Sequence, residues 1–381
     1  MTLKEIRMPK GVKDIDDLIR SGVKVPEPIP TRGRAEEASQ AVPAEPMLDF
    51  DDFLLKESSK DMEKKMLEDV FVLGRMAITG QFTVFYGGPN AGKTLIGLKL
   101  LVEAIQSGEI AGANVYYINA DDTYKGIALK KRLAEEYGFK MLVPGMGGFK
   151  AEMLAEILRF RSSSDKARGT IVILDTLKKF TDLMSKGASS AFGDVQRVFT
   201  SSGGTIIGYA HVNKAKNDDG NSIHAGTTDI IDDGDCAYIL DVIEDDGDTK
   251  TVKFRNIKDR GDVAQVVNYQ YKSKGNNPTM PYLELFYSVQ EVSASTAIEA
   301  GKRAAAANLI ADNQDHIIAV SSSISLGSTG KTDLIATLME RGLSRKAANK
   351  VLDDHTGTNK LDGHRWNSRK GERNSLNYFT L

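Results

Sequence analysis

An eight-residue stretch, Gly87-Gly88-Pro89-Asn90-Ala91-Gly92-Lys93-Thr94, has the spacing G-x-x-x-x-G-K-T between an apolar run and a helical pattern. Glycines let backbone N–H groups point at an anion without a side-chain clash, and the start of the next helix adds partial positive charge. A lysine in this position reaches the β- and γ-phosphates of a nucleotide, and the threonine hydroxyl binds Mg²⁺. We therefore predict a site for ATP and Mg²⁺, with Lys93 also catalytic; the alternative is a chance glycine-rich turn. The predicted nucleotide-binding residues are Gly87, Gly88, Pro89, Asn90, Ala91, Gly92, Lys93, Thr94 and Leu95.

A carboxylate at the end of a later apolar run completes the predicted metal site. The run 171–174 is Ile-Val-Ile-Leu, and Asp175 follows it directly. An acid in this position holds Mg²⁺ either directly or through a water molecule. Thr94 and Asp175 are therefore the predicted metal ligands. The alternative is a strand-end aspartate that caps the next turn.

Two other strand ends carry groups that can act on a phosphate. Asp121 and Asp122 follow the apolar run 115–119, where a carboxylate can orient or deprotonate an attacking water. We expect Asp121 to be the catalytic acid, against the alternative that both acids cap the helix starting near Thr123. His211 ends a further apolar run, where a neutral imidazole can touch the γ-phosphate; the alternative is a buried core histidine.

Lys258 and Arg260 lie in the polar turn 256–262, just after a predicted strand. Their charges can stabilise negative charge that develops on a phosphoryl group, so both are candidate catalytic residues. Spacing does not decide whether they act within one subunit or across an interface, and a basic turn in solvent is the alternative. The segments 185–190 and 214–226 are predicted loops, suited either to a nucleic-acid backbone or to plain flexibility.

The elements that position these residues follow an α/β pattern. Continuous apolar runs separated by helical segments indicate a mostly parallel central sheet that is buried on both faces. The predicted strands are 82–86, 115–119, 171–175 and 205–211, and the predicted helices between them include 93–106 and 124–137. Three closely spaced strands follow, near 236–242, 250–257 and 264–271, and we expect them to form hairpins at the sheet edge.

Composition excludes several classes of protein. The chain has 381 residues and a single cysteine, Cys236, so neither an internal disulfide nor a cysteine-rich metal framework can form. No apolar run reaches the roughly 18–20 residues that a membrane span requires. We therefore expect a soluble, cytoplasmic protein without a membrane partner.

Shifts in composition predict four regions along the chain. An N-terminal arm with a proline-rich linker covers 1–48, and the α/β core covers 49–288. A connector rich in alanine and serine covers 289–330. The last region, 331–381, is a separate small domain.

The last region has the pattern of a winged-helix-like domain. We expect two helices, 332–341 and 344–352 with Ser344 as N-cap, followed by a basic hairpin. The region holds 10 basic and 6 acidic side chains, a net charge of +4. Such charges suit phosphate backbones, and a protein-docking or purely structural domain is the alternative. The predicted basic residues are Arg345, Lys346, Lys350, Arg365, Arg369, Lys370 and Arg373.

Taken in order, these motifs resemble a known family. Over residues 66–272 the chain is similar to the RecA-fold hexameric replicative DNA helicases, and most closely to their plasmid RepA-type members. The matching stretches are 87–94, 119–122, 173–180, 210–214, 225–229 and 258–261. The segment 13–18 is similar to the end of the toprim domain of primase-helicases, without the catalytic body of that domain, so no primer synthesis is expected.

The resemblance implies an ATP-driven ring, hexameric in that family, that translocates on single-stranded DNA. It implies that ATP lies between subunits, with Arg260 and Lys258 acting on the neighbour's nucleotide, and that Asp121 stands where the family has a catalytic glutamate. A replication initiator or a primase is an expected partner of such a ring. Two alternatives stay open: a RecA-like DNA-binding ATPase without processive unwinding, and an ATPase switch that regulates DNA binding through the tail.

Overall fold

The computed structural model describes residues 51, 54, 58–60, 70–181, 186–216, 222–224, 231, 233–372 and 375–381. The chain divides into two compact units, Met1–Asp61 and Met62–Leu381, and the central sheet with its helices lies in the second. The predicted arm 1–48, most of residues 49–69, residues 217–221 and 225–230 and Arg373 lie outside the described residues.

A nine-stranded sheet forms the centre of the second unit. The strands, numbered in chain order, are β1 (Phe82–Gly87), β2 (Val115–Asn119), β3 (Lys140–Leu142), β4 (Ile171–Asp175), β5 (Thr205–Ala210), β6 (Val212–Lys216), β7 (Ser222–His224), β8 (Cys236–Asp245), β9 (Thr249–Lys258), β10 (Val266–Lys272), β11 (Gln290–Val292), β12 (Trp366–Lys370) and β13 (Leu376–Thr380). The sheet order is β11-β10-β9-β8-β1-β5-β4-β2-β3, while β6–β7 and β12–β13 form two separate hairpins.

The sheet has a parallel part and an antiparallel part. All neighbours from β8 to β3 run parallel, and β8, β9, β10 and β11 pair antiparallel. Every residue of β1, β4 and β5 is buried, which is why these strands read as continuous apolar runs. The predicted mixed α/β fold with a mostly parallel sheet is confirmed, as are the antiparallel strands at one edge.

Helices cover both faces of the sheet. They are α1 (Lys93–Gln106), α2 (Tyr124–Tyr137), α3 (Met153–Ser163), α4 (Lys186–Ser201), α5 (Tyr282–Ser288), α6 (Ala294–Asp312), α7 (Gln314–Ser325), α8 (Lys331–Glu340) and α9 (Arg345–Asp354). One apolar cluster joins α1, α2 and α5 to Phe85, and a second joins α3 and α4 to Val84 and Tyr86. Successive side chains of β1 therefore pack into opposite layers, as strand geometry requires.

The central sheet extends a few residues past the predicted end of the core at 288. β11 pairs with β10, so the sheet continues to Val292, beyond the boundary expected at 288. Arg303 on α6 donates two hydrogen bonds to Glu244 at the end of β8, which ties the first connector helix to the sheet. α7 instead contributes Ile317 and Val320 to a third apolar core, shared with α8, α9 and the β12–β13 hairpin.

The C-terminal elements lie where the sequence predicts them. α8 and α9 begin and end within two residues of the expected limits, and the Ser344 side chain accepts a hydrogen bond from the Ala347 amide at 3.3 Å. Trp366 is fully buried in the third core, and its indole nitrogen donates to the Leu352 carbonyl at 3.0 Å. Two predicted loops are wrong in part, because residues 186–190 begin α4 and residues 212–216 and 222–224 form the β6–β7 hairpin.

Within the part of the chain that the structure describes, no helix is long and apolar enough to cross a membrane.

Candidate functional site

The glycine-rich loop, Gly87–Thr94, joins the end of β1 to the start of α1. Asn90 and Gly92 both have positive φ angles, 58° and 98°, which turn the backbone back on itself ahead of the helix. A Cβ atom on Gly92 would lie 2.5 Å from the Tyr271 hydroxyl, so only glycine fits there. The strand–loop–helix context that the sequence predicts is present.

The Lys93 ammonium lies inside the glycine-rich loop. It donates to the carbonyl oxygens of Gly87 and Gly88 at 2.8 and 2.9 Å. Burial lowers the pKa of Lys93 to about 8, although nearby Asp175 and Asp121 favour the charged form. The ammonium is thus held at the centre of the loop, where its interactions with backbone carbonyls can be exchanged for stronger ones with an anion.

Thr94 and Asp175 meet although 81 positions separate them in the chain. The Thr94 hydroxyl lies 3.1 Å from both carboxylate oxygens of Asp175, the last residue of β4. Hydroxyl and carboxylate oxygens are ligands that Mg²⁺ prefers, with water and substrate phosphates filling the remaining positions. The described residues contain no cluster of three or more histidine, cysteine or acidic side chains that would hold a metal alone. The oxygens of Thr94 and Asp175 therefore fit a metal that arrives with a phosphate.

Two residues that we did not predict, Tyr117 and Lys130, contact Asp175. Its Oδ2 atom accepts from the Tyr117 hydroxyl and from the Lys130 ammonium, the latter at 2.9 Å. Lys130 also lies 2.7 Å from the carboxylate of Asp122, and only 6% of its side chain is exposed. Burial, together with neighbouring Asp175, raises the pKa of Tyr117 well above its usual value, so this hydroxyl stays protonated and donates.

A sequence signal for Lys130 exists but is weak. The residues of α2 that are buried are Lys130, Leu133 and Ala134, so a lysine occupies the first position of an apolar i, i+3, i+4 stripe. A long basic side chain on such a stripe can also extend its charge to solvent. Only the contacts in the folded chain show that this ammonium points at two carboxylates.

Asp121 lies near the Lys178 ammonium. Its carboxylate is 44% exposed and lies 3.9 Å from the Lys178 ammonium. Thr123 is the N-cap residue of α2 and makes no side-chain capping bond, while Asp122 pairs with Lys130. The contacts therefore do not support the alternative that both acids cap this helix, and the catalytic role of Asp121 stays a prediction.

His211 follows β5 and is half-buried next to the glycine-rich loop. Burial, and secondarily the positive charges of Lys93 and Lys178, lowers the pKa of His211 below its ordinary value. The imidazole is therefore neutral near pH 7, as the sequence predicted for a group facing a phosphate. Asn213, Lys214 and their neighbours carry side chains outside the described residues.

Lys258 and Arg260 lie at the opposite end of the sheet. Lys258 pairs with Ala237 near the start of β8, which runs parallel to β1. The Arg260 carbonyl accepts from Gln81, the residue before β1, while the glycine-rich loop follows β1. For Arg260, six strand residues at about 3.3 Å each make this separation roughly 20 Å. Lys258 is level with Val84, three residues before Gly87, so its separation along the strand is about 10 Å. Neither cation is brought to the glycine-rich loop of its own chain.

A cavity of about 660 Å³ adjoins the glycine-rich loop. One wall comes from the loop, α1 and α2, and the other from the antiparallel edge of the sheet and α5. The hydroxyls of Tyr271 and Tyr282 are buried in its lining and have no hydrogen-bond partner among the described residues. Further lining residues at the antiparallel edge are Asp245, Lys250, Lys272, Ser273, Lys274 and Gly275.

A scan against models of known protein families matches none of them, and a search of the curated proteins returns no match.

Proposed function

We propose that this chain is a Mg²⁺-dependent ATPase with a RecA-like P-loop core, working as a ring-forming replicative helicase on single-stranded DNA. The ATPase assignment depends on three side chains that lie close together, those of Lys93, Thr94 and Asp175. Lys93 lies inside a glycine-rich loop at a helix start, and the adjacent Thr94 hydroxyl lies 3.1 Å from the strand-end carboxylate of Asp175. Phosphate binding needs the first feature, and metal binding beside the phosphate needs the second.

The cavity supports a nucleotide as the ligand. Its volume of about 660 Å³ lies within the range of about 300–1,000 Å³ typical of small-molecule sites. It extends from the loop toward Tyr271 and Tyr282, whose buried hydroxyls have no hydrogen-bond partner in the described part of the chain. Polar groups left unpaired in this way are available to hydrogen-bond the sugar or base of a ligand whose phosphates occupy the loop.

Each predicted site residue has a role in this proposal. Lys93 exchanges its bonds to Gly87 and Gly88 for bonds to the β- and γ-phosphates, while Thr94 and Asp175 supply metal ligands. Held by these two residues, the metal would supply positive charge that offsets the charge of the phosphates. Asp121, exposed and next to Lys178, orients the attacking water and accepts its proton, and the neutral His211 imidazole donates to the terminal phosphate.

The position of Lys258 and Arg260 supports action across a subunit interface. Roughly 20 Å of strand separates Arg260 from its own glycine-rich loop, and Lys258 also lies toward the amino ends of the parallel strands. On this proposal they serve the nucleotide of a neighbouring copy. In a head-to-tail assembly every subunit presents its loop to one neighbour and its cations to the other, which is the arrangement that closes a ring. We propose a hexamer, by resemblance to the replicative helicases, with a primase or initiator as further partner.

A second candidate is an ATPase switch that controls DNA binding by the C-terminal region. One observation favours it: residues 314–381 build an apolar core of their own, with α7, α8, α9 and the β12–β13 hairpin around Trp366. The winged-helix-like character of this region stays part of the proposal.

ATP hydrolysis in the presence and absence of single-stranded DNA tests the proposal, with Lys93→Ala as the inactive control. We expect hydrolysis that needs Mg²⁺ and rises several-fold with DNA. A forked duplex would then be unwound only in the presence of ATP. If DNA leaves the rate of hydrolysis unchanged, the ATPase switch becomes the favoured function. If the wild-type chain binds no nucleotide, both candidates are overturned.

A further inference from the structure

Lys130 is a buried cation that none of the roles above uses. Only 6% of its side chain is exposed, although it carries a full charge in an apolar stripe of α2. Removing an ammonium from water costs several kcal/mol unless partners replace the water. Here the partners are two carboxylates, Asp122 at 2.7 Å and Asp175 at 2.9 Å.

The two carboxylate oxygens of Asp175 have different contacts. Oδ2 accepts from the Lys130 ammonium and the Tyr117 hydroxyl, and also lies near Thr94. Oδ1 has the Thr94 hydroxyl as its side-chain contact among the described residues. Lys130 and Tyr117 therefore fix the rotation of the carboxylate and leave Oδ1 facing the glycine-rich loop.

Lys130 also ties together two segments of the site. Asp175 ends β4, whereas Asp122 lies in the segment between β2 and α2, next to the exposed Asp121. The Ala120 amide donates to the Asp175 carbonyl at 2.6 Å, so the backbone already brings this segment alongside. The ammonium adds a second link through the side chains.

We propose that Lys130 is the resident counter-cation of the metal site and a positioning residue for Asp175, and that it sets how much Mg²⁺ the site requires. Asp122 and Asp175 together carry two negative charges, and Lys130 cancels one of them. A metal ion that approaches Oδ1 meets this positive charge close by, so the site binds Mg²⁺ weakly until a nucleotide's phosphates add negative charge. This inference rests on the proposed nucleotide site and adds the residue that makes metal binding depend on the nucleotide.

The test is a Mg²⁺ titration of Lys130→Met, wild type and Lys131→Met, with Mg²⁺ alone as ligand and thermal unfolding as readout. Lys131 is the matched control, because it is the next residue of α2, is 55% exposed and pairs with Glu135. Without metal, Lys130→Met should unfold at a lower temperature than the control. Mg²⁺ should restore most of this loss, with half-saturation at a concentration at least about ten-fold lower than in wild type, since a nearby positive charge has gone.

A second readout uses a fluorescent ATP analogue. Wild type and Lys131→Met should need Mg²⁺ for tight binding of the analogue, and Lys130→Met should reach its half-maximal affinity at about one tenth of the Mg²⁺ concentration. Lys130→Arg retains the charge and should follow the wild-type curve. If Lys130→Met responds to Mg²⁺ like Lys131→Met, or if Lys130→Arg responds like Lys130→Met, the proposal is overturned.

Asp122→Asn keeps the proposal testable if Lys130→Met does not fold. It removes one carboxylate and leaves Lys130 to Asp175 alone, so about ten-fold more Mg²⁺ should be needed; an unchanged requirement would overturn the proposal. Failure of the proposed function has a different signature, because then wild type would bind no nucleotide at all. The titration with Mg²⁺ alone reports on Lys130 in either case.

Discussion

The two ends of the central sheet carry similar residue types in very different surroundings. At the carboxyl ends of the parallel strands, Lys130 pairs with Asp175. Their side chains are 6% and 11% exposed, respectively. At the amino ends, Arg260 lies 3.3 Å from Asp235 with 56% of its side chain exposed. The first pair is held by the packing of α2 on β4, whereas the second lies in contact with solvent.

The difference in burial matches a difference in role. Buried charges are costly to move and suit groups that must keep one position, such as a metal ligand. Exposed pairs contribute little to stability and exchange partners readily, which suits a cation that must reach a neighbouring molecule. In the proposed ring, one end of the sheet holds the nucleotide and the other end completes the site of the next subunit.

The largest expected effect comes from removing the exposed cation. Arg260→Ala should lower the maximal rate of ATP hydrolysis by about 10³-fold, the scale of an arginine that stabilises phosphoryl transfer, while binding of a fluorescent ATP analogue changes little. Arg75→Ala is the control, because Arg75 is also an exposed arginine in an ion pair, with Glu291. Loss of nucleotide binding in Arg260→Ala would place this residue in its own chain's site and contradict the comparison.

Mixing variants sharpens the same point. Arg260→Ala subunits retain an intact loop, and Lys93→Ala subunits retain an intact Arg260. Where the two alternate in a ring, one interface regains both parts, so the mixture should hydrolyse ATP faster than either variant alone. No gain on mixing, with assembly verified by light scattering, would show that the two ends of the sheet do not meet across an interface.

The next effect concerns the buried end. Lys93→Ala should lower ATP hydrolysis by at least about 100-fold, the loss seen when a preorganised donor to a developing charge is removed, and it should also weaken nucleotide binding. Equilibrium binding and steady-state hydrolysis measure the two losses separately. If only hydrolysis falls, Lys93 acts on the transition state and the loop backbone alone holds the nucleotide.

Stability should separate the two ends by a smaller amount. Lys130→Met should lower the free energy of unfolding by about 3 kcal/mol in the absence of metal, because it leaves the buried Asp175 carboxylate without its cation. Arg260→Ala should cost less than about 1 kcal/mol, since its ion pair is exposed. Urea denaturation in EDTA measures both, with Lys131→Met as control, and equal costs at the two ends would contradict the contrast in burial.

The smallest effect is a dependence on pH at the glycine-rich loop. Burial lowers the pKa of Lys93 from 10.5 to about 8, so the nucleotide-free protein loses this proton above pH 8, while the unfolded chain keeps it until about pH 10.5. The contribution of Lys93 to the free energy of unfolding therefore rises with pH across that window. Nucleotide affinity needs the charged ammonium, and should fall about three-fold between pH 7.5 and 8.5.

The difference between wild type and Lys93→Met isolates the contribution of Lys93 to the free energy of unfolding and to nucleotide affinity. Denaturation and nucleotide binding measure the two quantities at the same pH values. A flat difference in stability between pH 8 and pH 10 would mean that the buried ammonium is not disfavoured by its surroundings.

Much of the core could be predicted because its signals are local. β1, β4 and β5 are buried on both faces and are therefore mostly apolar, so their limits can be read from the sequence. The loop Gly87–Thr94 needs glycine at Gly92 for its backbone angle and for space beside Tyr271. α9 begins after Ser344 because that side chain caps it.

The strand Gln290–Val292, just past the predicted end of the core at 288, was not predicted, because pairing between distant strands leaves little local trace. β11 has three residues and joins the sheet only by lying against β10. Likewise α7 has an apolar face that the sequence shows, but the sequence does not show that this face packs around Trp366 rather than on the sheet.

The sequence by itself determined the elements and the chemistry of single residues, since periodicity, capping and backbone freedom act over a few positions. Only the tertiary structure decided which residues meet. Tyr117, Lys130 and Asp175 come together because β2 pairs with β4 and α2 packs beside them. Arg260 lies far from Lys93 because β9 runs antiparallel to β8 and returns the chain to the opposite end of the sheet. Contacts across such separations depend on how buried surfaces pack, a property of the whole chain rather than of any short stretch.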